Sequence, residues 1–429
     1  MTSRSDVLSG PALTATSVDL KRARLLLFAF VVATSAFAIR YYDGHDFVNN
    51  IWAPVHGLLV GDNPYDPANL RYMLRYGVPV EAGLYLPTAL LMHAPLAFLS
   101  QSHSADVMAV LDVALIWLGV LLLIPPRTAR GCLVAGTAGV FLVLSAPAQD
   151  TIFLGQLSAE AFAGLALIVA SLRRDSSAKW LPAVGVALVA LKPQSAIPIF
   201  IALALLGSWK VLATAASILA VTSLPGTLLF LRAVDGPSAV ARTVTANLSH
   251  LSQLPPNDLT NPGNIRIDAL GILSHLGVPS LTGFDWMLIT IAVATVLLML
   301  ALRALSERGV RALTDPYVVT VFALYIVVSL VHLSYDQLLL YLGPAVALGV
   351  AAEGEALSRR AQAVAVGGIV IAAAGIVFRS GFRSRMMDSS LSFLPIHEIW
   401  ISLPTLVGVA TVVIAWACGR DALSPDTAA

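Results

Sequence analysis

Four short polar clusters interrupt an otherwise apolar chain: Asp43-Gly44-His45-Asp46, Asp150 with Gly155-Gln156, Lys192-Pro193-Gln194, and His332-Leu333-Ser334-Tyr335-Asp336. Asp46 stands a few residues beyond the first long apolar run. A carboxylate at such a boundary accepts a proton from a hydroxyl once partial burial brings its basicity toward neutral pH. The plain alternative is a solvated acid at a helix end. Asp43 is a rival base three residues earlier, with His45 between them, and the Asp-x-x-Asp spacing could instead hold a divalent ion.

Lys192 follows the apolar run Val186 to Leu191 and precedes Pro193, which ends one helix and starts the next. A cation at a chain break inside a membrane can receive a phosphate, helped by the N-terminus of the following helix; a snorkelling lysine is the alternative. His332 could donate to the same phosphate or shuttle a proton, or it simply caps a helix end beside the interface residue Tyr335. Glu160 lies four residues after Gln156, so the two share a helix face. Glu160 and Asp112 are ionisable groups inside apolar spans, which serve either function or helix-to-helix bonding. Arg266 and Asp268 could pair, and Arg379, Arg383 and Arg385 could face anionic lipid headgroups.

The elements that must carry these residues follow from composition. Of 429 residues, 57% are hydrophobic and 12% charged, against about 25% charged in soluble domains, which excludes a soluble globular enzyme. Mean hydropathy is +0.82. The net charge of +1 indicates neither nucleic acid nor disorder. Cys132 and Cys418 lie in apolar stretches and read as packing residues. The run Leu25 to Ile39 after Lys21, Arg22 and Arg24 reads as a retained first helix rather than a cleaved signal.

Hydropathy predicts about twelve spans: Leu25 to Ile39, Asp106 to Ile124, Gly131 to Ala148, Gln156 to Leu172, Ala178 to Leu191, Gln194 to Gly207, Ser208 to Leu231, Phe284 to Arg303, Pro316 to Val331, Tyr335 to Ala352, Ala361 to Phe378 and Glu398 to Cys418. The expected fold is therefore an all-α polytopic membrane protein. Basic loops such as Arg127/Arg130, Arg173/Arg174/Lys179 and Arg359/Arg360 then fall on one, cytoplasmic face. All four polar clusters fall on the other. Leu84 to Ser100, broken by Pro87 and Pro95, reads as a re-entrant or interfacial segment, since a full crossing would invert every later span; a thirteen-span arrangement is the alternative. Ile51 to Val60 is expected to lie along the membrane surface. No Walker sequence or nucleotide fingerprint occurs, which points away from ATP or a nucleotide sugar as fuel and toward a membrane-held, already activated donor.

The run Asp46-Phe47, Gly61-Asp62-Asn63-Pro64-Tyr65-Asp66-Pro67, Tyr85-Leu86-Pro87 with Pro95-Leu96, Gly155-Gln156, Leu191-Lys192-Pro193 and His332 with Tyr335 resembles the polyprenyl-phosphate-sugar glycosyltransferases of the GT-C superfamily. The nearest branch is glycosyltransferase family 87, which holds α-1,2-mannosyltransferases and arabinofuranosyltransferases. The resemblance implies a GT-C transmembrane domain over residues 24–420 between cytoplasmic tails 1–23 and 421–429. Its outer loops would be 40–105, carrying juxtamembrane helices and the catalytic Asp46, then 232–283 and 379–397. It implies His332 near the donor phosphate; the residues themselves add Lys192, Arg266, Gln156 and Tyr335 as candidates at the donor phosphate and sugar, with Asp43, His45, Glu160 and Tyr85 as secondary candidates. Partners would be a polyprenyl-phosphate sugar, a glycolipid or lipid-linked glycan acceptor and membrane lipids, without nucleic acid, the protein acting as a monomer at the outer face of the cell membrane. No tightly bound cofactor is expected, and metal dependence stays open. The family usually shows Tyr-x-Pro-Pro and an Asn after Gly-Gln-x; here stand Tyr85-Leu86-Pro87-Thr88 and Gly155-Gln156-Leu157-Ser158. Mannose is favoured, with arabinofuranose as the alternative. A lipid-sugar flippase or transporter, with Glu160, Asp112 and Lys192 lining a path, is the reading from another class.

Overall fold

A computed structural model of the chain describes residues 17–40, 42, 44–63, 85, 87–174, 178–233, 266–276, 295–300, 309–330, 332–377 and 396–420, with isolated positions between 236 and 245 and between 289 and 303. Among these residues the regular structure is helical, apart from one antiparallel bridge between Arg266 and Leu333. Helix α1 covers Ser17–Ile39. A single turn, His45–Phe47, then passes through a π-helical turn, Val48–Trp52, into α2, Ala53–Val60. After α3 (Pro87–Met92) and a 3-10 turn (Ala94–Phe98) come α4 (Gln101–Leu123), α5 (Ala129–Leu144), α6 (Ala146–Leu154) and α7 (Ser158–Arg173). Next are α8 (Leu181–Val189), α9 (Pro193–Leu205), α10 (Trp209–Ala233), α11 (Ala269–His275) and α12 (Pro316–Ser329). A 3-10 helix, Ser334–Tyr341, leads into α13 (Leu342–Ala352), followed by α14 (Arg359–Val377) and α15 (Ile396–Arg420).

Five of the described helical stretches are long and apolar enough to cross a membrane, or six if the α5–α6 pair, bent by 64°, is one span. The expectation of about twelve crossings exceeds this number: α7, α8, α9, α12 and α14 are not among the stretches that qualify, and Phe284 to Arg303 lies largely outside the described residues. The burial pattern is that of a bundle in lipid. Nearly every residue of α7 and α12 is buried, whereas α1 and α10 present Leu25, Phe28, Val221 and Leu228 outward, a surface compatible with hydrocarbon and not with water. Close approach of α7 and α8 uses glycine on both sides: a Cβ on Gly164 would stand 2.6 Å from the Gly185 carbonyl oxygen.

Two expectations for the first outer loop fare differently. Leu84 to Ser100 is broken, as its prolines require, into α3 and a short 3-10 turn. Ile51 to Val60, however, is mostly interior: Ile51, Trp52, Ala53, Val55 and Leu58 are buried, and only its end, Leu59 and Val60, is exposed. Apart from His56 the stretch is apolar rather than amphipathic, and it packs inward against Phe47, Leu90, Ala97 and Met108. Asp43, Arg379, Arg383 and Arg385 lie outside the described residues, as does the side chain of His45.

Candidate active site

The site is assembled at three breaks in the helical bundle. The first is the α6–α7 junction. Gly155 ends α6 with φ +70°, and a Cβ there would meet the Phe47 Cβ at 2.5 Å; only glycine combines that left-handed turn with that approach. The turn delivers Gln156, buried, to the half-buried Asp46. The Gln156 amide donates through Nε2 to Asp46 Oδ2, while its Oε1 accepts from the Tyr85 hydroxyl at 2.7 Å. An acceptor on one side and a donor on the other fix the orientation of the amide. Burial, reinforced by the charge of Asp46, pushes the Tyr85 phenol well above its ordinary range, so it stays a hydrogen-bond donor.

The second break separates α8 from α9. Lys192 precedes Pro193 and takes an extended backbone (φ −116°, ψ 91°), as the pyrrolidine ring demands of the residue before it. Its side chain is 1% exposed. The ammonium donates to Asp336 Oδ1 and, at 2.8 Å, to Ser158 Oγ, and lies 4.5 Å from the centre of the Tyr335 ring. Ser158 in turn donates to Asp336 Oδ1 at 2.7 Å. Asp336 Oδ2 accepts the Leu333 N–H at 3.3 Å. A buried ammonium thus has a carboxylate partner, a hydroxyl and an aromatic face, which is what its burial requires.

The third break lies between α12 and the 3-10 helix. His332 is fully buried; its Nδ1 donates to the Leu330 carbonyl at 3.0 Å, leaving Nε2 to accept from the Ser195 hydroxyl at 3.2 Å. Burial outweighs the nearby Asp336 carboxylate and holds the imidazole pKa below its ordinary value. The bridge between Arg266 and Leu333, with the Ile267 N–H donating to the His332 carbonyl at 2.9 Å, brings Arg266 beside this break. The Arg266 guanidinium makes a two-point ion pair with Asp268 at 2.8 and 2.9 Å, the pairing weighed from sequence. Asp268 also caps α11.

The fold therefore joins Asp46, Gln156 and Tyr85 in one chain of hydrogen bonds, and Lys192 and Tyr335 in a second group with Asp336 and Ser158. The charges of Asp46, Asp336, Glu160 and Asp112 all act on Tyr85, and those of Asp46 and Glu160 on Lys192, so this is one electrostatic neighbourhood. Glu160 sits one turn into α7 and contacts His93 at 3.4 Å. Asp112 is buried on α4 with neither carboxyl oxygen hydrogen-bonded. Among the described residues no three His, Cys, Asp or Glu side chains converge as a metal centre would need. Sequence reasoning placed Asp336 in a polar cluster without assigning it a role, and it gave no role to Ser158, Ser195 or His93. Ser158 and Ser195 were legible as residues two beyond Gln156 and three beyond Lys192, within a helical turn of each; His93 had no such signal.

Residues 84–330, more than half of the 429, match the model for glycosyltransferase family 87. The chain belongs to glycosyltransferase family 87. Family 87 is a GT-C family, so this is a glycosyltransferase that takes a sugar donor and an acceptor, and its many apolar helices make it a membrane protein. The matched region holds Tyr85, Gln156, Lys192 and Arg266, while Asp46 precedes it and His332, Tyr335 and Asp336 follow it. No curated protein and no solved structure gives a significant match to this family 87 chain.

Proposed function

We propose that the protein is an inverting transferase that moves a sugar, mannose in the favoured reading, from a polyprenyl-phosphate donor to a glycolipid or lipid-linked glycan at the outer face of the cell membrane. The observation that carries the reading is the pairing of a solvent-reachable carboxylate, Asp46 held by Gln156, with a buried cation at a membrane chain break, Lys192. One step suffices. The acceptor oxygen attacks the anomeric carbon as the bond from that carbon to the phosphate oxygen breaks. Polyprenyl phosphate leaves with the electron pair, and Asp46 takes the acceptor proton. A β-linked donor gives an α-linked product.

Lys192 stabilises the charge that develops on the leaving phosphate. The ammonium is shared with Asp336 and Ser158, so the phosphate binds by joining that cluster. His332 adds a donor only once a second proton sits on Nε2, and Arg266 contributes long-range positive charge while paired with Asp268. Polyprenyl-phosphate arabinofuranose is the alternative donor. In this reading α7, α8, α9, α12, α14 and the stretch Phe284 to Arg303 complete a bundle of about twelve crossings, with both termini cytoplasmic.

The test is sugar transfer by purified protein in lipid, offering labelled polyprenyl-phosphate mannose and polyprenyl-phosphate arabinofuranose separately with a membrane-lipid extract as acceptor. Transfer from one donor that is lost in Asp46→Asn names the sugar and the base. Retention of most activity in Asp46→Asn removes Asp46 from the mechanism.

A further inference from the structure

The broken segment Leu84 to Ser100 carries Tyr85 and with it one end of the hydrogen-bond chain to Asp46. Two short helices joined at His93 cannot hold themselves in place, since each satisfies few backbone groups. Their outer side is tied to the neighbourhood of α2: the Leu99 carbonyl accepts from Trp52 Nε1 at 3.3 Å, and the Ala97 carbonyl meets His56 Nδ1 at 3.2 Å. On the inner side the segment meets the α6–α7 junction and the first turn of α7 at two points, Tyr85 on Gln156 and His93 on Glu160. Gln156 lies two residues before α7 and Glu160 in its first turn, so the two contacts are rungs between the same two stretches of chain.

The second rung contains a proton whose place geometry dictates. His93 Nδ1 lies 2.8 Å from the Ala89 carbonyl oxygen, an acceptor only, so Nδ1 carries hydrogen. His93 Nε2 then faces Glu160 Oε1 at 3.4 Å. Without a proton between them a ring lone pair would point at a carboxylate oxygen. Both residues are buried, at 6% and 3% exposure, so no bulk water relieves that repulsion. The other groups around the pair are the Phe47 ring, edge-on to His93 at 6.4 Å, and Asp112 on α4, Tyr85 and Lys192, on all three of which the Glu160 charge acts. Glu160 occupies the first turn of α7.

We infer that His93 and Glu160 are positioning residues: a proton-dependent clamp that holds the segment Leu84 to Ser100 on α7, so that Tyr85 and Gln156 orient Asp46. The effect on catalysis rests on the proposed transfer function; the clamp itself does not. Burial lowers the basicity of His93, but the hydrogen bond and charge of Glu160 more than reverse this, leaving its pKa above the ordinary 6.5. A raised folded value means the clamp is complete below about pH 6.5 and is lost as pH rises through that higher value.

The experiment compares full-length wild type, His93→Gln and Glu160→Gln in lipid from mildly acid to alkaline pH. It measures kcat and donor KM for transfer, and hydrogen exchange of residues 87–100 against the same peptides of each variant at the same pH. Either glutamine restores a neutral N–H bond that needs no extra proton. Wild type is expected to lose protection of residues 87–100 and, on the order of tenfold to a hundredfold, kcat on the alkaline side, with donor KM unchanged; both variants lack that limb. An alkaline loss of protection equal in wild type and variants overturns the clamp. Should Glu160→Gln not fold, His93→Gln alone decides. No transfer from either donor, with the exchange limb present in wild type and absent in the variants, upholds the clamp and removes the transferase reading instead.

Discussion

Gln156, just before α7, and Ser158, its first residue, stand two positions apart, yet Gln156 holds Asp46 and Ser158 holds the Lys192–Asp336 pair. One helix terminus therefore sets the separation between the candidate base and the candidate phosphate cation. It can do so because Gly155 turns the chain sharply just before it.

Removing the Gln156 amide should separate these roles. Gln156→Ala leaves Asp46 ionisable but unoriented, so kcat should fall on the order of a hundredfold with donor KM little changed. Tyr85→Phe, which deletes one buried hydrogen bond, should cost about 1 kcal/mol in kcat/KM. Steady-state kinetics on the two variants checks both, and an equal effect of the two would count against an amide that works through Asp46.

Gly155 should resist substitution. Gly155→Ala adds a side chain where φ is +70° and where Phe47 Cβ is only 2.5 Å away. A loss of more than about 1 kcal/mol is expected, read as a lower midpoint in thermal unfolding, together with reduced transfer because Phe47 adjoins Asp46.

The Lys192–Asp336 pair is 1% exposed on both sides. Asp336→Leu strands a buried ammonium and should destabilise by about 3–5 kcal/mol. Lys192→Met combined with Asp336→Leu should recover most of that stability while transfer stays lost, since the phosphate has no cation. Unfolding and transfer measured on the single and double variants separate the stabilising role of the pair from its chemical one.

His332 sets an acid limit on stability. Its pKa in the folded protein is depressed by burial, so below about pH 6.5 the unfolded chain binds a proton that the folded chain resists. Stability should fall as pH drops through that region, and His332→Gln should flatten the fall. Thermal unfolding of both proteins across mildly acid pH tests this; equal slopes would show that His332 does not titrate with unfolding.

Much of the bundle was legible in the sequence because apolar runs and proline breaks act locally. The expected spans Gln156 to Leu172, Gln194 to Gly207 and Tyr335 to Ala352 lie within a few residues of α7, α9 and the 3-10 helix with α13. Lys192 was recognisable because Pro193 follows it, and Asp46 because it stands just past a span. The stretch Ile51 to Val60 misled for a physical reason: its composition admits a membrane surface as readily as a protein interior, and only the presence of Leu90, Ala97 and Met108 beside it decides.

Residue types and spacing alone determined that this is a helical membrane protein, where its helices break, and that the breaks carry a carboxylate, an amide, an ammonium and an imidazole. Tertiary structure alone decided which of them meet. Asp336 reaches Lys192 across 144 positions and Gln156 reaches Asp46 across 110, and His93 finds Glu160 from a segment that local signals leave unplaced. Local preferences act within a turn or two of the chain, whereas a buried charge must find its partner wherever packing puts one.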